Sequence, residues 1–306
     1  MRGDRKIIKF ATAGLVFALI FSMLPAPTLM AAPDETVENS AEEAEEQKEP
    51  EVIRIKTIED FVAFAEQCYL DSWSVGKWVI LEQDIDLSGV DFEMIPIFAG
   101  TFDGDGHTIS GFHSVGDGYV GGLFRYIAQS GTVKNLKLRG NVEGTEEKEC
   151  IGSICGINYG TIRNCSFAGT ISGRDTVGGI AGTNAATGFI VSCNINGHVT
   201  GYYMTGGIVG TNYGCVSWCN NYSGINDDSE WVEEDDEMGS GLLLGINSSD
   251  SDIEFYSGVD TGGIAGYSNG TISNCFNYGK VGYEHTGYNI GGIVGRQAGV
   301  VSFCVN

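Results

Sequence analysis

A five-residue element, Gly-Gly-aliphatic-x-Gly, starts at Gly178, Gly206, Gly262 and Gly291; Gly121-Gly122-Leu123-Phe124-Arg125, with Arg in place of the last Gly, and Gly152-Ser153-Ile154-Cys155-Gly156 are variants of it. The steps between copies are 31, 26, 28, 56 and 29 residues. A second marker keeps the same rhythm: runs closing on Cys165, Cys193, Cys219, Cys275 and Cys304, spaced by 28, 26, 56 and 29. Two independent markers in one register point to a repeat architecture, the usual meaning of a fixed period in this range.

Each repeat offers short β-rich stretches, such as Gly263-Ile264-Ala265-Gly266, Thr271-Ile272-Ser273-Asn274-Cys275 and Gly279-Lys280-Val281-Gly282. Such short strands make no stable sheet alone, but stacked coils bury a continuous interior. Propeller blades need longer periods, and the Leu and Asn spacing of a leucine-rich repeat is absent. The chain therefore reads as an all-β, right-handed parallel β-helix. Seven or eight coils at about 4.8 Å would make a rod of about 35 Å. Gly, and Asn in Asn158-Tyr159-Gly160, Asn212-Tyr213-Gly214 and Asn269-Gly270, are expected at left-handed corners. The 56-residue step counts as two periods, with Gly241-Leu242-Leu243-Leu244-Gly245 as a degraded copy.

Ahead of the repeats, Thr57-Ile58-Glu59-Asp60 resembles a capping box, with Asp60 in place of the usual Glu. Ile58, Phe61, Val62, Phe64, Ala65 and Cys68 follow at helical spacing, which predicts one capping α-helix of about three turns. Strand-like runs cover Trp78 to Leu87 and Gly100 to Phe112.

The 17 basic and 40 acidic residues give a net charge of −23, and so acidic a chain is a poor partner for nucleic acid. The charge is concentrated in residues 33–51 and 224–258, which hold nine and eleven acids. Arg2, Arg5, Lys6 and Lys9 precede an apolar run from Phe10 to Leu24 and small residues up to Ala32, the order of a secretory signal peptide. The expected layout is signal 1–32, acidic linker 33–51, cap and first coils 52–112, and repeats 113–306 with an acidic insertion at 224–258. No membrane span is expected in the mature chain, which should be extracellular, secreted or attached to the cell wall. Val301 to Asn306 aligns with Ile272 to Asn277, so the chain stops in mid-coil and a longer natural protein is expected.

Nine cysteines in an exported chain invite a disulfide framework. Five in one register would instead sit about 4.8 Å apart, slightly beyond disulfide Cβ spacing. Cys165, Cys193, Cys219, Cys275 and Cys304 therefore read as a ladder of free, buried thiols. Cys150 and Cys155, off that ladder, are the pair open to oxidation. Cys215 and Cys219 form C-x3-C, but no His nearby completes a zinc site.

Val177 to Asn184, Thr205 to Asn212 and Gly270 to Gly279 resemble the GLUG repeat. Phe102 to Gly111 resembles the rung that opens such a β-helix, and the similarity covers about residues 52–306. GLUG repeats occur in large secreted and cell-wall proteins of bacteria, in adhesin-like proteins and in immunoglobulin A1-cleaving metallopeptidases. The resemblance implies an extracellular bacterial protein and carries over no catalytic residue.

The four histidines, His107, His113, His198 and His285, form no H-E-x-x-H zinc-peptidase motif. Asp84, Asp86, Asp103 and Asp105 are candidate carboxylates for a polysaccharide-cleaving site, but Asp beside Gly at strand ends is ordinary turn chemistry. The eight carboxylates of Asp227 to Glu237 lack the pattern of an EF-hand loop and read as a solvated loop. Tyr159, Tyr213 and Tyr278 recur beside Asn and Gly at coil corners, where they could stack on sugars or line a protein contact. No metal or cofactor is expected. The expected function is a non-catalytic, adhesin-like scaffold binding glycans or host or cell-wall proteins; the alternative is the N-terminal, non-catalytic portion of a large extracellular peptidase or polysaccharide lyase.

Overall fold

A typical coil runs through four short strands, Cys150–Gly152, Cys155–Asn158, Thr161–Arg163 and Ser166–Ser172, with a turn between each pair. Each strand pairs in parallel with its counterpart one repeat later: Ile162 with Ile190, Phe167 with Ile195, and Gly178 with Gly206. This is a computed structural model, and it describes residues 49–90, 92–115, 119–144, 150–227, 259–282 and 288–306. The described strands form four parallel sheets. In the order of one coil these are D (six strands), C (seven), A (nine) and B (eight). The chain is thus a parallel β-solenoid of about seven turns, as its repeats imply. The predicted signal segment, residues 228–258 of the acidic insertion, and the copy at 241–245 lie outside the described residues.

The repeats build the core as columns. Phe102, Val133, Ile162, Ile190, Val216 and Ile272 are registered partners along sheet A and are all fully buried. The first coils are filled by Phe98, Phe102 and Phe124, against which the helix Ile58–Gln67 places Phe61 and Phe64. That helix starts as predicted. Asp60 N donates to Thr57 Oγ1 at 3.2 Å and Thr57 N donates to Asp60 Oδ2 at 3.1 Å, so two otherwise orphaned N–H groups are satisfied. Trp78 to Leu87 and Gly100 to Phe112 are not continuous strands. They break into Trp78–Leu81 and Ile85–Asp86, and into Thr101–Asp103 and Thr108–Val115, because the coil must turn between sheets A and B.

Three local expectations are corrected. Asn158 and Asn212 do not take left-handed corners; both are fully buried and hydrogen-bonded between coils, and Asn269 also lacks a positive φ. A left-handed φ, between 53° and 58°, falls instead on a column of six residues, Asn135, Asn164, Ser192, Trp218, Asn274 and Phe303; Asp105, Asn226, Asp260 and Asn289 also have a positive φ. In the column of six, each stands where sheet A turns into sheet B, and the last five directly precede the five ladder cysteines. The paired glycines serve close approach rather than a positive φ: a Cβ on Gly178 would lie 2.1 Å from Ala181 O, and one on Gly179 2.0 Å from Gly207 O.

The third correction concerns the 56-residue step. Gly206 pairs directly with Gly262, Val209 with Ala265, Cys215 with Thr271, and Asn220 with Phe276. The extra period adds no rung between these coils, which brings residues 56 apart in sequence into contact.

Candidate functional site

Sheet B carries the most varied outward chemistry. Its strands Lys137–Glu143, Ser166–Ser172 and Asn194–Thr200 share the pattern x-apolar-x-Gly-x-apolar-x. Gly140, Gly169 and Gly197 stack with φ between 146° and 155°, and a Cβ on each would lie 1.8 Å from the carbonyl oxygen of the coil before. Only glycine fits so close an approach. Leu138 and Val142, four residues apart, both face inward by the two-residue alternation of a strand, and Lys137, Arg139, Asn141 and Glu143 face solvent.

At the C-terminal end of this face the direct pairing of Asn221 with Asn277 aligns Tyr222 with Tyr278. Their rings stack with centroids 4.9 Å apart and planes 5° from parallel, and Phe276 lies 6.2 Å from Tyr278 at 9°. Both tyrosines are exposed, at 51% and 62%. Near-parallel rings held open to water form an amphipathic platform. Trp218, 58% exposed and held at φ 58° at the corner leading into this sheet, is a further aromatic there.

The three tyrosines singled out from the sequence therefore do not share one strip. Tyr278 belongs to the sheet B stack. Tyr159 and Tyr213 stand on the corner between sheets C and A, two rungs apart with Ala185 between them, and Tyr213 meets Tyr267 edge-on. Tyr222 and Trp218 were not singled out. For Tyr222 the usable signal is that it follows a ladder cysteine by three residues, as Tyr278 does.

Beside Tyr222 a trough of about 170 Å³ runs along sheet B to Lys137 and Arg139, over Ser166, Ala168, Asn194 and Asn196. A larger cleft of about 510 Å³ lies near the capping helix, lined by Tyr69, Glu93, His113 and Arg125 among others, and Tyr69 Oη donates to Glu93.

The candidate carboxylates are engaged in structure. Asp84 accepts from Thr108 N at 2.8 Å and lies 3.2 Å from His107 Nδ1; these two contacts hold its carboxyl below the usual range. Asp86 accepts from the hydroxyl and backbone N–H of Ser88, with the same effect. Burial pushes the Asp103 carboxyl up, but Lys134 Nζ at 2.8 Å, Asn135 Nδ2 at 2.9 Å and Asp105 N at 3.0 Å together hold it below the usual range. Asp105 contributes its backbone to this turn. None of the three shifted carboxyls is raised, as a general acid at neutral pH would need. Among the described residues no group of three or more His, Cys, Asp or Glu could hold a metal ion.

No disulfide joins any of the nine cysteines, and the open pair, Cys150 and Cys155, is not bridged. Cys155 is fully buried on sheet C, while Cys150 lies on sheet D with its Sγ 3.5 Å from Thr183 Oγ1. The five ladder cysteines each donate to the carbonyl two residues back, across the left-handed corner, at 3.3 to 3.4 Å. Burial pushes the thiols of Cys155, Cys165 and Cys193 well above the usual value.

Residues 149–172, one coil of this solenoid, match the GLUG motif. The chain carries a GLUG repeat. Among curated proteins it is similar to halomucin of Haloquadratum walsbyi, 36% identical over 99 residues, which are 32% of this chain and 1% of halomucin. It is also similar to a candidate Gly-rich membrane protein of Evansella cellulosilytica, 39% identical over 100 residues, 28% of this chain and 11% of that protein. The chain thus spans only a small part of either relative. A solved candidate immunoglobulin A1 protease from Bacteroides ovatus superposes at a TM-score of 0.46 with 20% identity, over 82% of this chain and 63% of that one. Among the described residues no helix is long and apolar enough to cross a membrane.

Proposed function

We propose that this chain is a secreted or surface-displayed scaffold that binds glycans in an adhesin-like way through the outward face of sheet B. The observation that carries the reading is the exposed Tyr222–Tyr278 stack, set beside Asn194, Asn196 and Ser166. Flat aromatic faces offer an apolar surface to the C–H face of a sugar ring, and neighbouring amides and hydroxyls offer donors and acceptors for its hydroxyls. The export-type N-terminus and the relatives' names, halomucin and a Gly-rich membrane protein, support a place at the cell surface. The carboxylates committed to turns support binding rather than cleavage at this face.

The test is a glycan array run beside a panel of extracellular matrix proteins, with the full chain as probe. Binding to glycans that weakens in Tyr278→Ala supports the reading. Binding to matrix proteins alone, or to neither, overturns it.

A further inference from the structure

The trough beside Tyr222 has two unlike walls. The strand register places Arg139, Ala168, Asn196 and Tyr222 in one row across three coil steps, about 14 Å. Ala168 and Asn196 are short, so the row is open between its ends. One face of the Tyr222 ring is taken by Tyr278, which leaves the other to the trough. At the opposite end Lys137 and Arg139 stand side by side on one strand, both exposed.

What sets these two cations apart is their shared place on one strand, since Arg125, Arg163 and Lys280 likewise have no ion-pair partner among the described residues. Lys77, Lys134 and Arg296 are paired with Glu51, Asp103 and Asp260, and each also covers an aromatic ring. Lys137 and Arg139 have no hydrogen-bond or ion-pair partner among the described residues; Lys137 senses Asp84 only at longer range. Glu143 is at the far end of the same strand, and on the next coils this face carries His198 and Asp227, 3.4 Å apart, and the exposed Lys280. Two unsatisfied donors of positive charge thus face an aromatic wall across a polar floor, in an otherwise acidic protein.

The geometry points to this trough as a site for one anionic sugar ring, its carboxylate or sulfate on Lys137 and Arg139 and its apolar face on Tyr222. The inference rests on the glycan-binding reading and narrows it to acidic glycans. At about 170 Å³ the trough is smaller than the roughly 300 Å³ of sites for drug-sized ligands, so it fits a single ring of a longer polymer. Arg139 supplies the planar fork that matches a carboxylate or sulfate, and Lys137 a second point charge.

The test titrates the full chain with an oligogalacturonate, its carboxyl-reduced neutral counterpart and a sulfated neutral oligosaccharide, at low and physiological salt. At least one acidic probe should bind about tenfold more tightly than the neutral one, a difference of about 1.4 kcal/mol. Salt should reduce the advantage, and Lys137→Gln with Arg139→Gln should remove it while neutral binding is kept. Which acidic probe gains identifies the carboxylate or the sulfate as the recognised group. Equal binding of all three probes, or an equal loss for all three in the double variant, overturns the inference and leaves glycan binding standing. No binding to any probe, with a blank glycan array, overturns both.

Discussion

The side-chain amide of Asn158 donates to Asn184 Oδ1 at 2.8 Å, and Asn184 donates in turn to Asn212 Oδ1 at 2.9 Å. All three residues are fully buried. Asn212 passes the chain on to Ser268 Oγ at 3.1 Å. Replacing Asn184 by Ala removes its bonds to Asn158 and Asn212 together with those it donates to Gly188 O and Cys215 O, each worth about 0.5–1.5 kcal/mol. Denaturant unfolding should therefore show Asn184→Ala destabilised by about 2–4 kcal/mol. Asn196→Ala, on the exposed face of sheet B, should stay within about 0.5 kcal/mol.

The buried thiols give a pH prediction. Burial pushes Cys68 up to about 12 from an ordinary 9.0 and moves Cys193 in the same direction. The folded state therefore holds these protons at a pH where the unfolded chain releases them. Their contribution to stability is complete below about pH 9 and falls as pH rises from there toward 12. The measurement is the unfolding midpoint against pH, and Cys193→Ala should flatten its alkaline fall. An alkylating reagent at neutral pH should label the partly exposed Cys150, Cys215 and Cys304 before the buried ladder thiols.

Asp103 titrates in the opposite sense. Its carboxyl is held below the usual range, so its contribution is complete above the ordinary carboxylate pKa and is lost as pH falls through the folded value. Asp103→Asn should cost about 1 kcal/mol at neutral pH, the scale of a largely covered ion pair with Lys134. The gap between the variant and the parent should close as the solution is made acidic.

Gly169 and Gly76 both have a positive φ, 153° and 70°, but only Gly169 is crowded. A Cβ there would meet Gly140 O at 1.8 Å, whereas at Gly76 nothing lies within 4 Å. Gly169→Ala should displace two coils and cost more than about 3 kcal/mol, in the range of severe backbone lesions. Gly76→Ala should cost only the left-handed conformation, about 1 kcal/mol. Thermal unfolding of the two variants side by side checks this.

The solenoid and its helical cap are legible in the sequence because they rest on local rules: a period kept by two markers, and the Thr57–Asp60 capping box. The corners are less so. Asn164, Ser192, Trp218, Asn274 and Phe303 share one backbone conformation but no residue type, since the packed coil imposes it on whatever residue stands there. Counting the 56-residue step as two periods was reasonable arithmetic, but strand pairing joins Gly206 to Gly262 directly. The Tyr222–Tyr278 stack depends on that pairing, so a period count that inserts a coil between them hides it.

The central claim is that sheet B, and not the sheet C to sheet A corner, is the binding face. The most direct measurement compares glycan affinity in two double variants of the full chain. Tyr222→Ala with Tyr278→Ala removes the stacked platform, and Tyr159→Ala with Tyr213→Ala removes the corner tyrosines. The account predicts that the first loses at least about tenfold in affinity, about 1.4 kcal/mol, and that the second binds like the parent. Retained binding in the first variant, with loss in the second, would contradict it.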